Sequence, residues 1–126
     1  MNSKTTGFAS PAQGYEVEAI DLNRLLITNP PATYFLRMES SDMAELGLPL
    51  GSLLVVDRSK EPVHNSLVLI RHEGQFYCRL MRQTPSAPGT AGKTLFTNGT
   101  TEIKPDEETE IIGTVTASIK TYDNAH

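Results

Sequence analysis

Few side chains in this sequence could act as nucleophile, base or metal ligand, and their spacing removes most of them. Cys78 alternates with apolar residues in Gln75-Phe76-Tyr77-Cys78-Arg79-Leu80-Met81, the period-two pattern of a strand, so its thiol is expected to pack rather than react. His64, His72 and His126 show no HxxxH spacing and no CxxC accompanies them, which predicts solvated histidines and no metal. Two hydroxyls, Ser40 and Ser41, precede Asp42 and Met43. A serine hydroxyl is a poor nucleophile at neutral pH unless a neighbouring base takes its proton, a role a buried lysine can fill. Arg79 cannot fill it, because a guanidinium stays protonated above about pH 12 and offers no lone pair. Asp42 is no better as a nucleophile: attack on an amide would form a mixed anhydride that returns to the amide more readily than it goes forward. What a carboxylate and a guanidinium can do is satisfy each other through charge-assisted hydrogen bonds.

The elements that must position these residues are mostly strands. Residues 1–15 are rich in Ser, Thr, Gly, Ala and Pro and predict a flexible or extended arm, followed by a β domain over 16–120 and a tail over 121–126. Asp21 is a plausible N-cap for one short helix with Leu22, Leu25 and Leu26 on its apolar face, stopped by Asn29-Pro30-Pro31. Strand patterns follow at 34–38, 52–57, 66–71, 75–81 and 111–119, with His72-Glu73-Gly74 as a hairpin link and Asn98-Gly99 as a turn. Residues 84–93 read as a loop. Arg71, Arg79 and Arg82 fall on the hairpin and are expected at solvated strand ends.

With 126 residues there is room for one core, stable without disulfides. A net charge of −4, from 11 basic and 15 acidic residues, argues against an autonomous grip on nucleic acid. The lone Cys78 and the absence of an apolar leader or long apolar run predict a cytoplasmic protein with no membrane partner. No cofactor is expected.

Three blocks carry a resemblance: Gly7-Phe8-Ala9-Ser10-Pro11-Ala12-Gln13-Gly14-Tyr15-Glu16, the ungapped stretch from Ala32-Thr33-Tyr34-Phe35-Leu36-Arg37 to Leu53-Leu54-Val55-Val56-Asp57, and Gly74-Gln75-Phe76-Tyr77-Cys78-Arg79-Leu80. Together they resemble the UmuD branch of the LexA/UmuD (S24 peptidase-like) family, closely over about 7–83 and loosely over 94–120. The resemblance implies a folded β-sheet domain like the C-terminal domain of LexA, with an extended N-terminal arm. In that family the first block follows a self-cleaved bond, here Thr6-Gly7. The second carries a nucleophilic serine in Gly-Asp/Asn-Ser-Met, which falls on Asp42; the third carries the general-base lysine, which falls on Arg79. Both members of the Ser/Lys dyad are therefore replaced, and the expectation is a catalytically inactive chain in which Asp42 and Arg79 form an ion-paired lock. Using Ser41 instead requires a register slip, and Lys60, Lys93 and Lys104 all lie outside the third block.

In the family a longer arm precedes the cleaved bond, whereas only Met1 to Thr6 precede Gly7 here, so the chain is expected to resemble the processed form. The resemblance implies a homodimer that binds a UmuC-like Y-family DNA polymerase and the recombinase filament during SOS-type translesion synthesis, with Phe8, Pro11 and Tyr15 facing the partner. It also implies that the final strand belongs to a dimer-forming region, where an exposed apolar edge must be covered. Alternatives are a pseudo-protease decoy that heterodimerises with an active homologue, and residual serine self-cleavage through Ser41.

Overall fold

The computed structural model describes residues 21–85, 88–89 and 92–122. The first block of the resemblance, with Thr6, Gly7, Phe8, Pro11 and Tyr15, lies outside the described residues, as does His126. The described chain begins with Asp21, whose Oδ1 accepts the backbone N–H groups of Asn23 (3.0 Å) and Arg24 (3.4 Å) and so caps helix α1, Leu22–Leu26. Pro30 and Pro31 cannot continue an α-helix; they enter a single 3-10 turn, Pro30–Ala32, where the Thr33 hydroxyl donates to the Asn29 carbonyl. The helix is where the sequence predicts it, but its apolar face is not buried. Leu22 and Leu25 are 60% and 62% exposed.

Seven strands follow: β1 Thr33–Arg37, β2 Leu53–Asp57, β3 Leu67–His72, β4 Gln75–Thr84, β5 Lys93–Thr97, β6 Glu102–Ile103 and β7 Glu110–Ile119. They form one antiparallel sheet in the order β1, β2, β7, β3, β4, β5, β6. This is the mainly β architecture that the resemblance implies. The β3–β4 hairpin closes through Glu73-Gly74, both left-handed at φ 51° and 78°, the geometry that matches the twist of the paired strands.

Strand β7 holds the sheet together. Residues 110–114 pair with β3 and 114–119 pair with β2, so Thr114 has neighbours on both sides, Asp57 and Val68. Register shifts on either side of that junction, at Val55/Val56 and Leu69/Ile70, bend the ladder. Gly113 sits at the bend for a steric reason: a Cβ there would lie 2.7 Å from Val56 Cγ1. Apart from Thr114, each half of this final strand is laddered on one side only, 110–113 to β3 and 115–119 to β2. Each half has a ladder partner, its C-terminal half exposes Thr116 and Ser118, and the exposed large apolar side chain is Ile111.

Consecutive residues Val68, Leu69 and Ile70 of β3 are all buried although a strand alternates its faces, so both faces of this part of the sheet are covered. Leu69 packs with Met38, Met43, Leu48, Leu54, Val56, Cys78 and Val115. Val68 and Ile70 pack with Met81 and Phe96. Among the described residues, no helix is long and apolar enough to cross a membrane.

Candidate functional site

The β1–β2 connection carries Ser40, Ser41 and Asp42, and its own apolar residues anchor it. Its base is closed by Met38 N–H on the Ser52 carbonyl (2.8 Å) and Gly51 N–H on the Met38 carbonyl (2.9 Å). Met43 is fully buried and Leu48 nearly so, which pulls the middle of the loop onto the core and leaves residues 40–42 on its rim. Between them a short 3-10 turn, Ala44–Leu46, ends at Gly47 with φ 92°. A second loop holds position 42 from the other side: Asn98 Nδ2, in the turn between β5 and β6, donates to the Asp42 carbonyl at 3.0 Å.

Arg79 comes from β4, opposite Val68 and on the other face of the strand from Cys78. Its side chain is only 6% exposed. Nη2 donates to Asp42 Oδ2 at 3.1 Å, Nη1 donates to the Cys78 carbonyl at 2.9 Å, and the guanidinium carbon lies 5.0 Å from the centre of the Tyr77 ring. The buried Nε has no hydrogen-bond partner. The contact with Asp42 is a single N–H···O bond rather than a two-pronged fork, because the other carboxylate oxygen, Oδ1, accepts the Ser40 hydroxyl at 2.5 Å. Asp42 is 36% exposed, so the pair joins a buried cation to a carboxylate at the water boundary.

Burial opposes ionisation of Asp42, but the Ser40 hydroxyl and then the Arg79 charge outweigh it and hold the carboxyl below its ordinary value. The same setting does the reverse to Cys78. Burial pushes its thiol up to about 11, only partly countered by Arg79, so it is protonated and unreactive at neutral pH. A cavity of about 680 Å³ opens beside Asp42, with Leu36, Met38, Leu54, Leu69 and Cys78 on its apolar wall. Its lining includes Arg37, Arg58 and Arg71 but no lysine. Ser41 is exposed and is not part of this lining.

The structure thus brings together Asp42 and Arg79, thirty-seven residues apart in sequence. Other expectations need correction. Arg79 is buried instead of ending a strand in solvent, whereas Arg71, near the end of β3 and paired with Glu110, and Arg82 are exposed as expected. The histidines are not merely solvated either: His64 Nδ1 accepts the Gln83 N–H, and half-buried His72 bonds Thr109. Asn98 and Tyr77 were not anticipated at the site. Asn98 reads in sequence only as a turn residue, and nothing there signals its reach to residue 42.

A single folded antiparallel sheet that brings a polar residue of the loop after β1, at the edge of an apolar cleft, against one from β4 has the layout of a peptidase-like β domain. Residues 1–116 match the family model described as Peptidase S24-like, and the chain belongs to that family, in its UmuD-like branch. It is 35% identical over 117 residues to Protein SamA of Salmonella typhimurium, covering 90% of this chain and 77% of that protein. Protein MucA of Escherichia coli is 37% identical over 119 residues, 91% of this chain and 78% of its own. Protein ImpA of Shigella flexneri is 40% identical over 82 residues, 64% of this chain and 57% of its own.

Proposed function

We propose that this chain is a catalytically inactive UmuD-like accessory protein, which acts as a homodimer on a Y-family DNA polymerase in SOS-type translesion synthesis. The observation that carries the inactivity is the Asp42–Arg79 pair. At the position where the family places its base stands a guanidinium that cannot accept a proton, and it is already engaged by a carboxylate, a carbonyl and an aromatic face. The position that should carry the nucleophile bears an ionised carboxylate whose lone pairs are directed at Arg79 and Ser40. Family membership supports the accessory role, and the retained block Gly7-Phe8-Ala9-Ser10-Pro11-Ala12 supports a partner-facing segment that includes Phe8, Pro11 and Tyr15.

The experiment is co-purification of tagged and untagged chain with the Y-family polymerase of its own host, read by size-exclusion chromatography with light scattering. A stable complex of two copies with one polymerase is the expected result. A homodimer that ignores the polymerase overturns the accessory role, and preferential mixed dimers with an active homologue would establish the decoy in its place.

A further inference from the structure

At the end of the sheet, away from Asp42 and Arg79, two turns bring His72, Glu73 and Asp106 together, with one ligand-capable atom from each lying within 4.8 Å of the others. His72 ends β3, Glu73 is the first residue of the β3–β4 turn, and Asp106 belongs to the connection between β6 and β7. The sequence expectation of no metal rested on local spacing between histidines and cysteines, and a set assembled from two separate turns has no such spacing.

Hydrogen-bond accounting around Thr109 fixes how His72 is presented. The Thr109 hydroxyl accepts the Asp106 backbone N–H (2.9 Å) and donates its one proton to Asp106 Oδ1 (3.1 Å), since an ionised carboxylate is a better acceptor than an imidazole nitrogen. The hydroxyl's remaining lone pair faces His72 Nδ1 at 2.8 Å, a contact that is satisfied when Nδ1 carries the hydrogen and donates it. The proton on Nδ1 leaves Nε2 as the nitrogen with a free lone pair, and Nε2 is the atom directed at Glu73, 3.8 Å from Oε1. A ring nitrogen bonded to an oxygen while its opposite nitrogen faces a carboxylate is the arrangement that orients metal-ligating histidines.

We propose that His72, Glu73 and Asp106 form a binding site for a divalent cation of the zinc class, which ties the β3–β4 turn to the β6–β7 connection. One imidazole and two carboxylates suit zinc or cobalt better than magnesium or calcium, which favour all-oxygen sets. A tetrahedral zinc needs ligand atoms roughly 3.3 Å apart, which follows from metal–ligand distances of about 2.0–2.1 Å. The side chain of Glu73 is 74% exposed, and its inward rotation is what closing the site to that spacing requires. With three protein ligands at the surface, the remaining position belongs to water.

The test is calorimetric titration of the full chain with zinc chloride, repeated with cobalt chloride and read by visible absorption. One cation per chain is expected. Glu73→Gln and Asp106→Asn should each weaken binding by about tenfold or more, and His72→Ala should abolish it. Asp106→Asn keeps the Oδ1 acceptor for Glu108 and Thr109, and Glu73→Gln changes an exposed turn residue, so neither variant threatens the fold. His64→Ala should bind as the parent does. Absence of saturable binding, or binding that survives both His72→Ala and Glu73→Gln, overturns the site.

Discussion

Replacing Asp42 with alanine removes the carboxylate that a buried guanidinium faces, and the cost depends on how far each partner is from water. Breaking a fully buried pair by deleting one partner costs about 3–5 kcal/mol, whereas exposed pairs are worth about 0–1 kcal/mol. The Arg79 side chain is 6% exposed and Asp42 36%, and Arg79 retains the Cys78 carbonyl and the Tyr77 face. The cost of Asp42→Ala should therefore fall between those limits, at about 2 kcal/mol. The Asn98 bond is to the Asp42 main chain and survives the change. Arg79→Met should cost less, about 1 kcal/mol or below, because it leaves Asp42 with Ser40 and solvent and removes the partnerless Nε. In the double variant no cation is stranded, so the cycle should show a coupling of about 1–2 kcal/mol. Urea unfolding of all four proteins at pH 7 and low salt measures it. Coupling below about 0.5 kcal/mol, or a greater loss from Arg79→Met than from Asp42→Ala, would refute the lock.

Three further outcomes follow from the same geometry. Prolonged incubation at pH 9–10 should leave the chain intact by mass spectrometry, because alkali that neutralises a lysine does not neutralise Arg79; a discrete shortened product would falsify the dead-dyad reading. The folded Asp42 carboxyl lies below its unfolded value of 3.8, so its stabilisation is full above that pH and disappears as pH falls through the folded value. The stability gap between parent and Asp42→Ala should accordingly narrow below about pH 4 in acid-unfolding curves. Gly113→Ala should cost about 1–3 kcal/mol in the same urea assay, because the added methyl meets Val56 Cγ1 and the Asp57 carbonyl.

What the sequence discloses follows from how local each signal is. The Asp21 cap, the proline stop and the Glu73-Gly74 hairpin depend on a few adjacent residues and lie where expected. Strands β1, β2, β3 and β7 end within a residue or two of their apolar patterns because the pattern and the ladder coincide there. Strand β4 continues through Arg82, Gln83 and Thr84, which carry no apolar signal, because β5 pairs with them; β6 has only two residues and no period to detect. Arg79 is the instructive miss within the site. Its charge alone reads as solvent-facing although it shares the strand face of Tyr77 and Met81, and its partner there is a carboxylate delivered by a distant loop. Its partner was identifiable only because the ungapped resemblance placed Asp42 at the nucleophile position.

The asymmetry of the pair also constrains how the two positions tolerate change. Suppose the Ser/Lys arrangement that the family implies is approached one residue at a time. Arg79→Lys keeps a cation beside Asp42 and a donor near the Cys78 carbonyl, so the charge balance at the buried end is preserved. Asp42→Ser leaves the guanidinium, almost wholly buried, facing a neutral hydroxyl, and resembles Asp42→Ala in its electrostatic consequence. Arg79→Lys should therefore cost about 1 kcal/mol and Asp42→Ser about 2 kcal/mol. Thermal melts of the two variants beside the parent give the order directly. If Asp42→Ser proves the milder change, Arg79 is being satisfied by its carbonyl and aromatic contacts alone, and the carboxylate contributes charge at the rim of the cleft rather than holding the former dyad positions together.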